Sequence, residues 1–250
     1  MLNDPYFWAA AIPAVIMVGL SKGGFGSLGG LAVPILSLAI SPVQAAGLVL
    51  PIYVLSDIVA VVAYRRHFDA RILMVMLPAA VAGILFGFAT AKWMNDDAVR
   101  LIVGLVSVAF ALNHWLRGRL VLEPTQRSTL KGAFWGAVSG FTSFVSHSGG
   151  APFQMYVMPL RLAPQVFAGT STIFFAAVNA LKVPPYFFLG QFKTANLEAA
   201  AILTPLSIVC ALLAVRLVKV IDQVVFYRIV YGLMFAIGLI LIGQAAFDLI

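Results

Sequence analysis

The sequence predicts an all-α polytopic membrane protein made of two inverted-topology repeats, each a re-entrant or broken short-helix hairpin followed by three transmembrane helices. Three observations lead there. With 62% hydrophobic and only 10% charged residues over 250 positions, the chain carries more apolar surface than a soluble core of this size could hide. Its apolar runs are bounded by short loops rich in Lys and Arg. A polar, glycine-bearing break in the first half recurs in the second, and interrupted segments at matching positions point to a secondary transporter's site.

The first element is the interrupted one. Residues 20–34 read L-S-K-G-G-F-G-S-L-G-G-L-A-V-P between apolar runs at 6–20 and 31–40, each too short to cross a bilayer comfortably as a helix. Backbone that is not helical at membrane depth must be surrounded by protein or line a wet cavity, because lipid cannot hydrogen-bond its amides. The break is therefore a candidate binding site. Residues 42–64 then form an apolar stretch of about 35 Å as a helix, with Pro42 suited to a first helical turn. Residues 72–91 and 98–116 supply two further spans. The polar stretch 118–131 is the seam between a first repeat, 1–117, and a second, 132–250, within one transmembrane domain, 1–250.

The second half repeats the plan. Residues 143–152, S-F-V-S-H-S-G-G-A-P, break the element at 132–162, and spans follow at 164–189, 195–217 and 224–246. At a spacing of 122, residues 41–47 echo 163–169, Asp57 pairs with Asn179 and Tyr64 with Tyr186; Pro78 then pairs with Pro205. If each broken element is a hairpin, 11 Lys and Arg residues fall on the side of the 65–71 loop and three on the other; if it crosses, the split is eight to six. The cytoplasmic bias of short basic loops favours the hairpin, with both termini outside.

Charge and cysteine usage exclude several classes. The net charge of +7 lies in short loops, which topology explains better than nucleic acid does. Cys210, in a long apolar run, allows neither an internal disulfide nor a Cys-based cluster. The first five residues lack the basic region of a secretory signal, so the chain is expected to be mature as it stands. His67, His114 and His147 are far apart, with no metal-ligand spacing, and Ser146-His147-Ser148 has no orienting third group, so no metal, cofactor or catalytic residue is expected. A membrane hydrolase and an anion channel remain as alternatives; saturable or exchange transport separates a carrier from ohmic current.

The candidate site residues cluster at the two breaks. In inverted hairpins the second arms, from about Leu28 and about Gly150, approach each other with their positive ends, and such ends bind anions. Ser21, Lys22, Gly24, Ser27 and Gly29 belong to the first break, and Ser146, His147, Ser148, Gly149, Gly150 and Gln154 to the second. Ser27, Ser146 and Ser148 add hydroxyls near capping positions. The plainer reading is that Gly26 and Gly30, spaced G-x-x-x-G, allow close helix packing. Asp57, His147 and Lys182 are ionisable groups within apolar segments, where function is the default hypothesis. Lys22 and Lys182 could neutralise an anion, with Asn179 beside them, or could pair with Asp57 as structural struts. Asp57 and His147 are the candidates for a charge pair or a proton relay.

The 20–34 stretch, L-P-I-Y-V-L-S-D at 50–57, S-H-S-G-G-A-P-F at 146–153 and F-A-G-T-S-T-I-F-F-A-A-V-N-A-L-K at 167–182 resemble the TauE/SafE family, bacterial sulfite-exporter permeases of the inner membrane. The resemblance covers essentially the whole chain. It implies export of a small sulfur-containing anion, sulfite or an organosulfonate such as sulfoacetate, with the lipid bilayer as the other partner, no nucleic acid, and a homodimer as an assembly to consider. An importer of sulfur oxyanions is the neighbouring reading. One departure stands out: Ser148 follows His147 where the family pattern reads His-Gly-Gly-Pro-Pro. No nucleotide-binding motif is present in the sequence, so transport is expected to be secondary or driven by the membrane potential.

Overall fold

The computed structural model describes residues 2–22, 28–91, 93–117, 126–217 and 223–248, and among them the chain is helical throughout, with no strand. The first broken element folds as α1 (Pro5–Lys22), a 3-10 turn over Leu28–Leu31 and a short α2 (Ala32–Leu36). Three long helices follow, α3 (Pro42–Tyr64), α4 (Ala70–Ala91) and α5 (Asp96–Arg117). The second half runs in the same order: α6 (Thr129–Ser146), α7 (Gly150–Val157) with a 3-10 turn at Met158–Leu160, then α8 (Pro164–Phe188), α9 (Thr194–Leu217) and α10 (Gln223–Asp248).

Among the described residues, six helices are long and apolar enough to cross a membrane: α1, α3, α4, α5, α8 and α9. The chain is a multi-pass membrane protein. α1 is longer than its apolar run suggested, because Ser21 and Lys22 continue the helix; its 18 residues reach about 27 Å. Lys22 is tolerated there because it pairs with Asp57 across the bundle. Ser41 caps α3 by accepting from the Gln44 amide, and Pro42 opens the helix, as the sequence predicts. Val62, Phe86, Leu105 and Leu212 turn outward, where lipid would meet them. Phe7, Leu48, Phe153 and Phe174 fill the interior.

Helix contacts look the same when the halves are exchanged. α4 packs on α6 as α9 packs on α1, and each contact is made at a glycine. Gly140 lies against the Ala80 carbonyl, two residues past Pro78; Gly19 lies against the Ser207 carbonyl, two residues past Pro205. A side chain at either glycine would collide with backbone, so the close approach needs the missing Cβ. The start of α3 abuts the end of α8, with Gly47 against Gln191, and Gly169 at the start of α8 abuts His67 at the end of α3. α3 and α8 therefore run antiparallel and meet where Asn179 donates to Asp57 at 2.7 Å. α5 and α10 are antiparallel too, with Gly104 against Ile242 and His114 stacked on Tyr231 at 3.8 Å.

The second break is a hairpin. Tyr156, at the end of α7, packs on Gly132 at the start of α6, and Gly149 at the turn packs on Ser139 and Ser143. Its tip reaches the 3-10 turn of the first broken element: Ser148 Oγ donates to the Gly30 carbonyl at 3.2 Å.

Candidate functional site

Between the two broken elements lies a cavity of about 50 Å³. Ser21, Lys22, Gly29, Gly30, Tyr53 and Phe110 line it from the first half, and Ser143, His147, Gly150, Ser171, Thr172, Phe175 and Asn179 from the second. The tip of α6 is closed by a left-handed (αL) cap. His147 adopts a left-handed backbone with φ 54°, its amide donating to the Ser143 carbonyl and the Ser148 amide to the Thr142 carbonyl. Glycine is the usual residue in that conformation, so a histidine held there invites a search for what its ring does.

The ring is held on every side. Its Nε2 lies 3.1 Å from the Ala46 carbonyl, its Nδ1 lies 2.7 Å from Lys182 Nζ, and its face stacks on Tyr53 at 5.1 Å. Lys182 is fully buried and reaches three acceptors: the Ser143 carbonyl at 3.0 Å, Ser143 Oγ at 3.0 Å and His147 Nδ1. Three acceptors match the three protons of an ammonium, which makes His147 the neutral tautomer donating from Nε2 to Ala46. Lys182 sits directly behind Ser143 and His147, both of which face the cavity.

Lys22 and Asp57 form a buried ion pair at 2.5 Å, with Lys22 Nζ also 4.7 Å above the Tyr53 ring. The second Asp57 oxygen takes the Asn179 hydrogen bond. Of the sequence's two readings of Lys22 and Asp57, the pairing is the one present. Lys182 has no carboxylate in contact among the described residues. With Lys22 offset by Asp57, Lys182 is the buried amine of the centre that no carboxylate touches among the described residues. A lone buried charge costs several kcal/mol.

The remaining predicted residues are placed as follows. Ser21, Lys22, Gly29, His147, Gly150 and Asn179 line the cavity. Gly24 and Ser27 lie outside the described residues, as does Gly26. Ser146 and Ser148 do not cap a helix: their hydroxyls donate to the Thr142 and Gly30 carbonyls, and α7 starts at Gly149 with no side-chain cap. Gly149 instead accepts from Ser139 Oγ at 2.7 Å, and Gln154 is not among the lining residues. The opposed helix ends are also weaker than the sequence suggested, since α2 has five residues and α7 eight, which leaves little aligned dipole. Gly30, Tyr53, Phe110, Ser143, Ser171, Thr172 and Phe175 were not among the expected site residues. Helical spacing could have found Ser171: residues 171, 175 and 179 share one face of α8.

A second cavity of about 240 Å³ is bordered by two residues that touch His147. It is lined by Ala46, whose carbonyl holds the imidazole, by Tyr186, whose ring centre is 6.1 Å from it, and by Asp96 and Gln191 among others. Tyr186 donates its hydroxyl to the Phe144 carbonyl at 2.5 Å, which fixes this wall.

The family model described as "Sulfite exporter TauE/SafE" matches residues 11–241. The chain belongs to the TauE/SafE family. It is thereby a multi-pass inner-membrane protein of a family of sulfur-anion exporters. No curated protein and no solved structure matched it. In this TauE/SafE member the match spans most of the first broken element, all of the second and all the residues that line the small cavity.

Proposed function

We propose that the protein exports a small sulfur oxyanion, sulfite or an ion of its size, by alternating access, with the ion held in the cavity between the two broken elements. The observation that carries this reading is Lys182: a fully buried amine with no carboxylate in contact among the described residues, one hydroxyl away from a cavity in the middle of a membrane protein. An anion in the cavity would supply the missing charge. The volume of about 50 Å³ favours an inorganic ion over sulfoacetate, since one water-sized group needs roughly 10–15 Å³ on this measure. The family's description supports sulfite as the ion and export as the direction.

The architecture supports the mechanism. Antiparallel pairing of α3 with α8 and of α5 with α10 is what inverted repeats at 1–117 and 132–250, joined by 118–131, require, because equivalent helices in parallel repeats would run the same way. The hairpins are then re-entrant, and the end of α1 lies level with Asp57 of α3, where Lys22 pairs with it. A cavity lined by His147 and a second one lined by its neighbours Ala46 and Tyr186 fit access that alternates across one layer.

Lys182→Gln tests the reading. An anion bonded to Ser143 Oγ would sit about 5–6 Å from Lys182 Nζ, where unit charges attract by about 3 kcal/mol at an effective dielectric near 20. Sulfite affinity should therefore fall on the order of a hundredfold. In proteoliposomes loaded with sulfite, efflux through the wild-type protein should saturate and show exchange, and the variant should lose it. Wild-type affinity and efflux in folded Lys182→Gln would overturn the assignment, and an ohmic current would replace the carrier with a channel.

A further inference from the structure

The hydroxyls at the cavity divide into two kinds. Those of the first half are engaged: Ser21 donates to the Val18 carbonyl at 2.6 Å and Tyr53 to the Gly29 carbonyl at 2.6 Å. Ser143, Ser171 and Thr172 line the same cavity and donate to no acceptor among the described residues. Threonine in a helix commonly turns its hydroxyl back to the carbonyl one turn earlier, and Thr170 does so, donating to Val166 at 2.6 Å. Thr172, two residues on, does not, which leaves its hydroxyl for the cavity. Ser143 differs again. Its Oγ accepts from Lys182 Nζ at 3.0 Å, so its own hydrogen is free, and accepting from an ammonium makes a hydroxyl a stronger donor.

We infer that Ser143, Ser171 and Thr172 are the specificity-determining contacts of the site, three hydroxyl donors that replace the hydration of a small oxyanion, with the Lys182 charge transmitted through Ser143. This rests on the transport reading of the same cavity. The donors come from α6 and α8, so two helices of the second half grip the ion, while the first half contributes the closed Lys22–Asp57 pair and the glycine backbone. Such a site rejects an ion that cannot accept the three bonds, because the ion would then lose hydration without replacement.

Titration of the purified full-length protein with sodium sulfite, beside thermal melts without ligand, tests the assignment. Thr172→Val keeps the shape and removes the hydroxyl; Ser171→Ala removes the other. Each should weaken sulfite binding about tenfold to a hundredfold, with the ligand-free melting temperature unchanged and Thr172→Ser retaining affinity. A purely structural role would move the melting temperature and leave affinity alone. Wild-type affinity in folded Thr172→Val and Ser171→Ala would overturn the assignment while leaving the transport reading intact, and if Thr172→Val does not fold, Ser171→Ala decides alone. A wild-type protein that binds none of sulfite, sulfate and thiosulfate would overturn both.

Discussion

The ion pair between Lys22 and Asp57 allows a quantitative test of which charges hold the bundle and which wait for a ligand. The two side chains are 9% and 5% exposed and 2.5 Å apart, so Asp57→Asn leaves a buried ammonium with only the Tyr53 face and an amide oxygen. Breaking one side of such a pair costs about 3–5 kcal/mol. For a chain of this size that corresponds to a fall of about 6–20 °C in melting temperature. The double change Lys22→Met with Asp57→Asn removes both charges, keeps the Asn179 donor satisfied and leaves the net charge of the centre unchanged. It should recover most of the loss, with a coupling of about 2–3 kcal/mol in the double-mutant cycle. Thermal melts of the four proteins in one detergent give the cycle, and sulfite titration of each gives the affinity. Affinity should fall far less in the double variant than in Lys182→Gln. A double variant no more stable than Asp57→Asn alone would refute the strut, and a stable one that has lost sulfite as completely as Lys182→Gln would make Lys22 the ion's counter-charge.

Two further outcomes follow from the packing and topology. Gly19→Ala and Gly140→Ala each push a methyl group into a carbonyl of the neighbouring helix, and both should destabilise by about 1–3 kcal/mol in thermal melts; neutral behaviour at both would mean that the α1–α9 and α4–α6 contacts are looser than described. In a Cys210→Ala background, single cysteines at Ser41 and Ala163 should label from opposite membrane faces with an impermeant maleimide, and labelling from one face would reject the inverted halves.

The sequence by itself determined the class of the protein, the order of its helices and the two places where the chain breaks. Those features are local: an apolar run long enough to span, a proline at a helix start and a glycine cluster mean the same thing wherever they occur. It also identified the ionisable residues of the centre, because a Lys, Asp or His in an apolar segment is conspicuous without any partner being known. Partnership was a matter for the tertiary structure. Lys22 and Lys182 have the same chemistry and the same kind of surroundings in sequence, yet one closes on Asp57 and the other is left with Ser143 and His147. The serines show the same division. Ser146 and Ser148 looked like donors to a ligand and donate to carbonyls instead, while Ser171 and Thr172, unremarked in an apolar helix, face the cavity. A hydroxyl reaches only about 3 Å, so its role depends on which neighbouring backbone arrives within that distance, and this follows from how α3, α6 and α8 cross rather than from any residue nearby in the chain.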